Sequence, residues 1–308
     1  MTALPVHVTE HHIEIDADPE VVYTHIADVT RWPAVFGPTV HVELLEQSAG
    51  AERFQMWAVT NDEVKTWTSA RTLDPVRRRI TFRQERTQAP TASMGGEWIF
   101  EAAGAGRTRV LLRHDYTAID DDTERVAWIE RALDHNSAAE LGSLKEVAEA
   151  GNPDELIFTF TDTVTAATTP DAAYAFIDRA DRWPGLLPHV RRVELREDQP
   201  GVQLLEMETV AGDGPAHVTR SYRVGRAPGW MAYKQIVPPA VLRGHAGAWL
   251  FEPTPSGVAI TARHTVMLRP GAAPGLRASV RTALGGNSLA TLGVLRETLE
   301  RDAPVVPR

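Results

Sequence analysis

The 308-residue chain contains no cysteine, which excludes disulfide bonds, thiolate metal sites and a cysteine nucleophile. No stretch approaches the roughly 20 consecutive apolar residues that a membrane-spanning helix needs. The N-terminus, MTALPVHVTEHH, has neither a basic start nor an apolar run, so we predict a cytoplasmic protein without a signal peptide. The net charge of −9 argues against nucleic acid as the main partner.

The common cofactor motifs are also missing from the sequence. It has no P-loop, no dinucleotide fingerprint and no Gly-x-Ser-x-Gly nucleophile motif. Its eleven histidines include no His-x-x-x-His pair on a predicted helix, so no metal site is indicated. We therefore expect neither a metal nor an organic cofactor.

An internal repeat runs along the chain at an offset of 151 positions. The segments DVTRWPAVFGP (residues 28–38) and RADRWPGLLPH (residues 179–189) share Arg-Trp-Pro in the same frame. Later in each half, Trp98 falls on Trp249 at the same offset. A repeat of this length has the size of a domain and is far too long for a solenoid unit.

The repeat predicts two copies of one domain, at residues 1–150 and 154–308, joined near residues 151–153. Two domains of about 150 residues also fit the usual relation between chain length and domain number. A hydrophobic content of 43% and a charged content of 24% are typical of an ordinary globular protein.

Within each copy the hydrophobic period changes along the chain. A first strand at Val8–Ile15 precedes a helix that begins at Pro19, after an aspartate suited to the first turn. Alternating runs from about residue 40 to residue 118 then predict a meander of antiparallel strands. We predict an α+β class with two tandem helix-grip domains, each a curved antiparallel sheet around a long C-terminal helix, and expect an internal pocket. The apolar face of the first such helix comprises Val126, Ile129, Leu133, Leu141, Leu144 and Val147.

Candidate chemistry lies on the strand VKTWTSAR, where alternate residues point to one face. If that face is the inner one, Trp67, Ser69 and Arg71 face the same space. A buried arginine without a carboxylate partner is costly, which favours an anionic or developing enolate oxygen as its partner. Alternatively, the strand turns its other face inward, Arg71 is solvated and the tryptophans are ordinary core. The other residues expected around an aromatic cavity are Trp32, Phe36, Met94, Trp98 and Tyr116.

The roles of two further features cannot be decided from the residues alone. His114 and His264 each follow an arginine in matching places of the two copies, and each could carry protons or be an ordinary sheet histidine. The arginine-rich run VRRRITFRQER could dock an acidic partner or form a solvated turn and strand edge.

Several segments together resemble the polyketide aromatase/cyclases of bacterial type II polyketide synthases. They are ADVTRWPAVFGP, TWTSAR, ITFRQ, ASMGGEWIF and LDHNS, and the doubled arrangement is similar to the two-domain subfamily. The resemblance implies the helix-grip fold of START-like lipid-binding proteins. It also implies that the protein folds a poly-β-ketone in its cavity and promotes aldol closure and dehydration to the first aromatic ring. The implied partners are an acyl carrier protein that bears the chain and other synthase subunits, including a ketoreductase that acts beforehand.

The resemblance also assigns residues in the first copy. The family's pocket arginine falls on Arg71 and its Trp-x-Ser-x-Arg strand on Trp67 and Ser69, while Thr39 lies near the place of a pocket tyrosine in single-domain relatives. Arg71 is expected to stabilise the enolate or alkoxide. Ser69, His114 or a water is expected to shuttle protons. The remaining pocket positions fall on Trp32, Met94 and Trp98.

The second copy departs further from this pattern. Its counterpart strand is AHVTRSYRV, in which the common offset places Arg220 opposite Ser69 and Tyr222 opposite Arg71. Either Arg220 or Arg223 could supply the cation, depending on a small slip of register. We expect cavities in both copies, which act on different steps unless one copy is mainly structural. The retained aromatic positions are Trp183 and Trp249.

Two other functions remain open. A non-catalytic carrier of the same fold would bind a hydrophobic or polyketide ligand stoichiometrically and change no product. A structural chaperone of the synthase would act without its pocket.

Overall fold

The computed structural model describes residues 4–150, 156–210 and 216–302. The chain divides into two compact units, Met1–Glu155 and Leu156–Arg308. The predicted junction at residues 151–153 lies outside the described residues. No helix in the described part of the chain is both long and apolar enough to cross a bilayer.

The first unit is a seven-stranded antiparallel sheet with the order β1-β7-β6-β5-β4-β3-β2. The first strand of the unit, which precedes its first helices, pairs with the last strand and so forms one edge of the sheet. The strands are β1 (His7–Ile15), β2 (Thr39–Ser48), β3 (Ala51–Thr60), β4 (Glu63–Asp74), β5 (Arg79–Arg86), β6 (Thr91–Ala102) and β7 (Thr108–Ala118). The helices are α1 (Pro19–Ala27), α2 (Trp32–Val35) and α3 (Thr123–Glu149), with 3-10 turns at Val29–Arg31 and Ile119–Asp121.

Helix α3 is the long element that covers the sheet of the first unit. It has 27 residues, and the Asp122 side chain caps it by accepting from the backbone N–H groups of Glu124 and Arg125. Its predicted apolar stripe is buried from Ile129 to Val147, with polar residues between the apolar ones. The stripe packs on the inner face of the sheet, as the amphipathic pattern predicts.

The second unit repeats this topology with the order β8-β14-β13-β12-β11-β10-β9. The predicted α+β class with two antiparallel sheets and long C-terminal helices is therefore confirmed. The strands are β8 (Ile157–Ala166), β9 (Val190–Gln199), β10 (Val202–Val210), β11 (Ala216–Arg226), β12 (Trp230–Val237), β13 (Leu242–Thr254) and β14 (Gly257–Leu268). The helices are α4 (Pro170–Asp178) and α5 (Leu276–Asp302), with a 3-10 segment at Ala180–Gly185.

Candidate functional site

The first unit encloses a cavity between its sheet and α3, here called the first chamber. Its volume is about 150 Å³. Apolar side chains, about half of them aromatic or sulfur-containing, form most of its wall, and a smaller polar set lines the same space. The predicted residues that line it are Trp32, Trp67, Ser69, Arg71, Met94, Trp98 and His114.

Strand β4 turns its predicted face inward. Ser69 and Arg71 are each 3% exposed, so the alternative in which Arg71 is solvated is wrong. Trp67 lines the chamber beside them, lies opposite Met56 of the neighbouring strand β3, and packs against the apolar cluster that contains Met56.

Phe36 and Tyr116 do not line the first chamber, which corrects two predicted positions. Phe36 is buried behind Trp32, with the two rings edge-on at 5.7 Å. Tyr116 shares the inner face of β7 with His114, but the first turns of α3 cover it. Its hydroxyl donates to the Glu130 carboxylate at 3.1 Å.

Arg71 has a buried carboxylate partner, so the premise that its charge awaits an anionic ligand is wrong. Its Nε donates to the carboxylate of Glu52, which lies directly opposite on β3. Its terminal nitrogens donate to the carbonyls of Ile26, at 2.8 Å, and Ala27. The guanidinium also lies 5.3 Å from the Trp32 ring centroid.

These contacts make Arg71 an anchor for the end of α1. The last carbonyls of a helix have no partner within the helix and carry its negative dipole end, which a cation stabilises. Burial lowers the pKa of Arg71, and the adjacent Glu52 opposes this effect. The arginine therefore holds the end of α1 and the adjacent Trp32 against the sheet.

Two buried polar atoms of chamber-lining side chains have no hydrogen-bond partner among the described residues. They are Nδ1 of His114 and Nε1 of Trp32. Desolvation lowers the pKa of His114 to about 4, so its imidazole is neutral at pH 7. An unsatisfied buried polar group costs about 1–3 kcal/mol, which a hydrogen-bond partner would remove.

Glu140 of α3 also lines the first chamber, and the sequence analysis missed it. It is half-buried, and desolvation of its carboxyl raises its pKa to about 7. A signal existed, because Glu140 follows Leu133 by seven positions and precedes Leu144 by four. An acidic residue at that spacing is the one ionisable side chain among the residues that this helix face presents to the chamber.

The second unit contains a cavity of about 130 Å³, here called the second chamber. Trp183 and Trp249 line it, as predicted. Arg220 and Tyr222 do not, because Arg220 is exposed and Tyr222 lies on the same outer face of β11. Arg223 lines the chamber and is 2% exposed, so it is the counterpart of Arg71.

Arg223 is anchored to the end of a helix as Arg71 is, but the residue opposite it on the neighbouring strand differs. It donates to backbone carbonyls at the end of α4 and lies 5.4 Å from the Trp183 ring centroid. Its partner across the strand pair is Gln203 in place of a carboxylate. The Gln203 amide donates to the Asp178 side chain at 2.9 Å. Burial lowers the pKa of Arg223 to about 10.

The match to a family model covers both units. Residues 6–149 and residues 158–300 each match the family described as polyketide cyclase / dehydrase and lipid transport. The chain belongs to this family. The resemblance inferred from the sequence segments is thereby confirmed, and the repeated match agrees with the two sheets. In the described part of the chain, no cluster of three or more histidine or acidic side chains is placed to hold a metal ion.

Relatives within the family match along almost the whole chain. The granaticin polyketide synthase bifunctional cyclase/dehydratase of Streptomyces violaceoruber is 48% identical, over 96% of this chain and 95% of its own length. The actinorhodin polyketide synthase bifunctional cyclase/dehydratase of Streptomyces coelicolor is 46% identical, over 93% and 95%. The crystal structure of the di-domain ARO/CYC BexL from the BE-7585A biosynthetic pathway superposes with a TM-score of 0.81. BexL is 43% identical, over 96% of this chain and 99% of its own.

Proposed function

We propose that the protein folds a poly-β-ketone chain, carried by an acyl carrier protein and already ketoreduced, and closes and dehydrates its first ring. The proposal rests on the unpartnered Nδ1 of His114 and Nε1 of Trp32 within an aromatic chamber. A poly-β-ketone has alternating carbonyl oxygens and acidic methylenes, which supply the acceptor and the proton that these two atoms lack. The bifunctional cyclase/dehydratase names of the relatives from granaticin and actinorhodin synthases support the same reaction class.

Ring closure needs a base, a donor to oxygen and a bent chain. Neutral His114 accepts a proton from a methylene between two carbonyls, and the C–H electron pair becomes an enolate. The enolate carbon attacks a distant carbonyl carbon, and the new alkoxide accepts a hydrogen bond from the Trp32 N–H. Glu140, with its pKa of about 7, protonates the alkoxide, and solvent then carries the proton from His114 back to Glu140. General acid–base catalysis of this kind contributes about 10²–10⁴-fold.

The chamber wall determines which carbon attacks. Holding two ends of a flexible chain in one geometry supplies up to about 7–11 kcal/mol of the barrier in ideal cases. Trp67, Met94 and Trp98 provide rigid apolar surface for that bend. Arg71 contributes as a positioning residue, because its hydrogen bonds tie the end of α1 and the adjacent Trp32 to the sheet.

Reconstitution tests the proposal directly. A minimal synthase with a ketoreductase is supplied with the full-length protein or without it, and the products are separated by chromatography. We expect ring-closed aromatic product only with the protein, and a 10²-fold or greater loss with His114→Gln or with Trp32→Phe, which keeps a ring but removes the N–H. Trp67→Ala should shift the product distribution. Exposed His135→Gln on α3 serves as control, and identical products with and without the protein would refute the proposal.

A carrier function is the second candidate, because the family description includes lipid transport. A carrier would bind one hydrophobic ligand per chamber and leave the products of the synthase unchanged. Stoichiometric binding of a polyketide product, together with unchanged product ratios, would favour it.

A further inference from the structure

Five side chains of the second chamber form a connected hydrogen-bond network, here called the polar relay. Its central member is His264, whose Nε2 lies 2.6 Å from the Ser288 hydroxyl. On the other side of the ring, Nδ1 lies 2.9 Å from the Tyr233 hydroxyl and 3.0 Å from Nε2 of His245. Nδ1 of His245 lies 2.8 Å from the Gln235 side-chain oxygen. All five side chains line the second chamber.

The first unit shows that the fold does not require this network. The repeat offset places Ser137 and Gln84 at the positions of Ser288 and Gln235. The strand register places His114, opposite Gly96, at the position of His264, opposite Gly247. Where the relay has Tyr233 and His245, however, the repeat offset places the apolar side chains Phe82 and Met94. The first unit forms the same sheet with these apolar residues.

Three of the five relay members are buried and the other two, Tyr233 and Gln235, are half-buried, which makes the members dependent on one another. His245, His264 and Ser288 are 2%, 5% and 4% exposed. Polar groups in such surroundings are costly unless every member is bonded, and a bonded set is rigid and correctly oriented. The nearest charged groups to His264, Asp162 and Arg281, are paired with each other at 2.7 Å.

Proton positions along the relay fit a donor next to an acceptor. Desolvation lowers the pKa of His264 to about 4 and raises that of the Tyr233 phenol. At neutral pH the imidazole is therefore unprotonated and the phenol keeps its proton, and the two lie 2.9 Å apart. This pair resembles the base and orienting partner of general acid–base sites.

We propose that the second chamber is a separate acid–base site in which the polar relay eliminates water from a β-hydroxy ketone. The inference rests on the proposed function, since ring closure in the first chamber produces such a ketone. The Tyr233 hydroxyl turns from Nδ1 of His264 to the β-oxygen of the ketone. The freed Nδ1 removes the proton α to the carbonyl, and the C–H electron pair forms the new C=C bond. The C–O bond at the β-carbon breaks, and the leaving oxygen takes the Tyr233 proton and departs as water. The proton on His264 then returns to Tyr233, which restores both groups.

A small probe tests the relay without the synthase. The full-length protein is mixed with 4-hydroxy-4-phenylbutan-2-one, a β-hydroxy ketone whose loss of water gives a strongly absorbing conjugated enone. We expect the protein to accelerate enone formation. Tyr233→Phe and His245→Met, which install the residues of the first unit, should each lower the rate about 10²-fold or more. His245→Gln, which keeps a hydrogen-bonding group, should retain more of the rate than His245→Met.

Controls separate the relay from general damage. Thr163→Val changes an exposed side chain on β8 and should leave the rate unchanged. Thermal unfolding reports whether each variant is folded, and Tyr233→Phe removes a single oxygen and so decides the question if the histidine variants unfold. The proposal is overturned if the parent protein does not accelerate enone formation, or if folded Tyr233→Phe is as fast as the parent.

Reconstitution distinguishes this inference from the proposed function. With the minimal synthase, the double variant Tyr233→Phe, His245→Met should keep the total of ring-closed carbon and accumulate the hydroxylated, undehydrated ring. Loss of ring closure with an unchanged dehydrated fraction would overturn the relay. Failure of the parent protein to promote ring closure would instead overturn the proposed function, while the probe assay would still report on the relay.

Discussion

Acidification is expected to destabilise the first unit through His114. Desolvation lowers the pKa of this buried imidazole to about 4 from its ordinary value of 6.5. Between these two pH values, His114 is protonated in the unfolded chain and neutral in the folded chain. The free energy of unfolding therefore falls as the pH falls. The stability that depends on a neutral His114 is fully present above pH 6.5 and is lost by about pH 4. At about 1.4 kcal/mol per pH unit, the loss across this window is about 3 kcal/mol.

Urea unfolding measures this loss. The free energy of unfolding of the full-length protein is obtained at pH 7 and at pH 4.5 by tryptophan fluorescence, for the parent and for His114→Gln. Glutamine does not titrate, so the variant should lose about 2–3 kcal/mol less on acidification than the parent. His135→Gln replaces an exposed imidazole on α3 and should follow the parent. If His114→Gln loses as much stability on acidification as the parent, His114 does not remain neutral in the folded protein and the assigned base is wrong.

Three other substitutions follow from the buried contacts. Glu52→Gln leaves Arg71 buried without its carboxylate and should cost about 3–5 kcal/mol in urea unfolding. Gln203→Glu should also destabilise, although it installs the residue of the first unit, because the Gln203 amide donates to two carboxylates. Gly96→Ala places a Cβ 2.0 Å from a carbonyl oxygen of β7 and should lower the melting temperature by several degrees, whereas Gly142→Ala on α3, with nothing within 4 Å, should not.

The fold was predictable because the strand and helix periods are local signals, and the repeat at 151 positions shows that the same pattern occurs twice. Alternation placed Ser69 and Arg71 on one face of a strand, and helical spacing from Ile129 to Val147 identified the buried side of α3. Both signals depend only on neighbours along the chain, and packing did not override them.

The partner of Arg71 was missed although the sequence contained a signal for it. Asn61 and Asp62 form a two-residue turn with φ values of 49° and 65°, a conformation that asparagine and aspartate tolerate. Such a turn fixes the register of its hairpin. It pairs Thr60 with Glu63 and, eight positions farther along each strand, Glu52 with Arg71.

The errors at Arg220 and Tyr222 have a simple geometric cause. Gln203 pairs with Arg223, so 20 positions separate the two, whereas 19 separate Glu52 from Arg71. The repeat offset of 151 positions is therefore one residue too short on β11. A shift of one residue moves every side chain of a strand to the opposite face.

The two chambers differ at positions where either side chain is compatible with the fold. Both units keep an arginine that anchors the end of a helix, and both keep a histidine at matching places of the last strand. Phe82 and Tyr233 differ by one hydroxyl at matched positions, each ring lying across a glycine where a Cβ would not fit. Because that hydroxyl reaches His264 and the phenyl ring cannot bond to His114, the two imidazoles have different access to a proton. An isolated base suits removal of a proton before carbon–carbon bond formation, whereas a base beside its own acid suits loss of water.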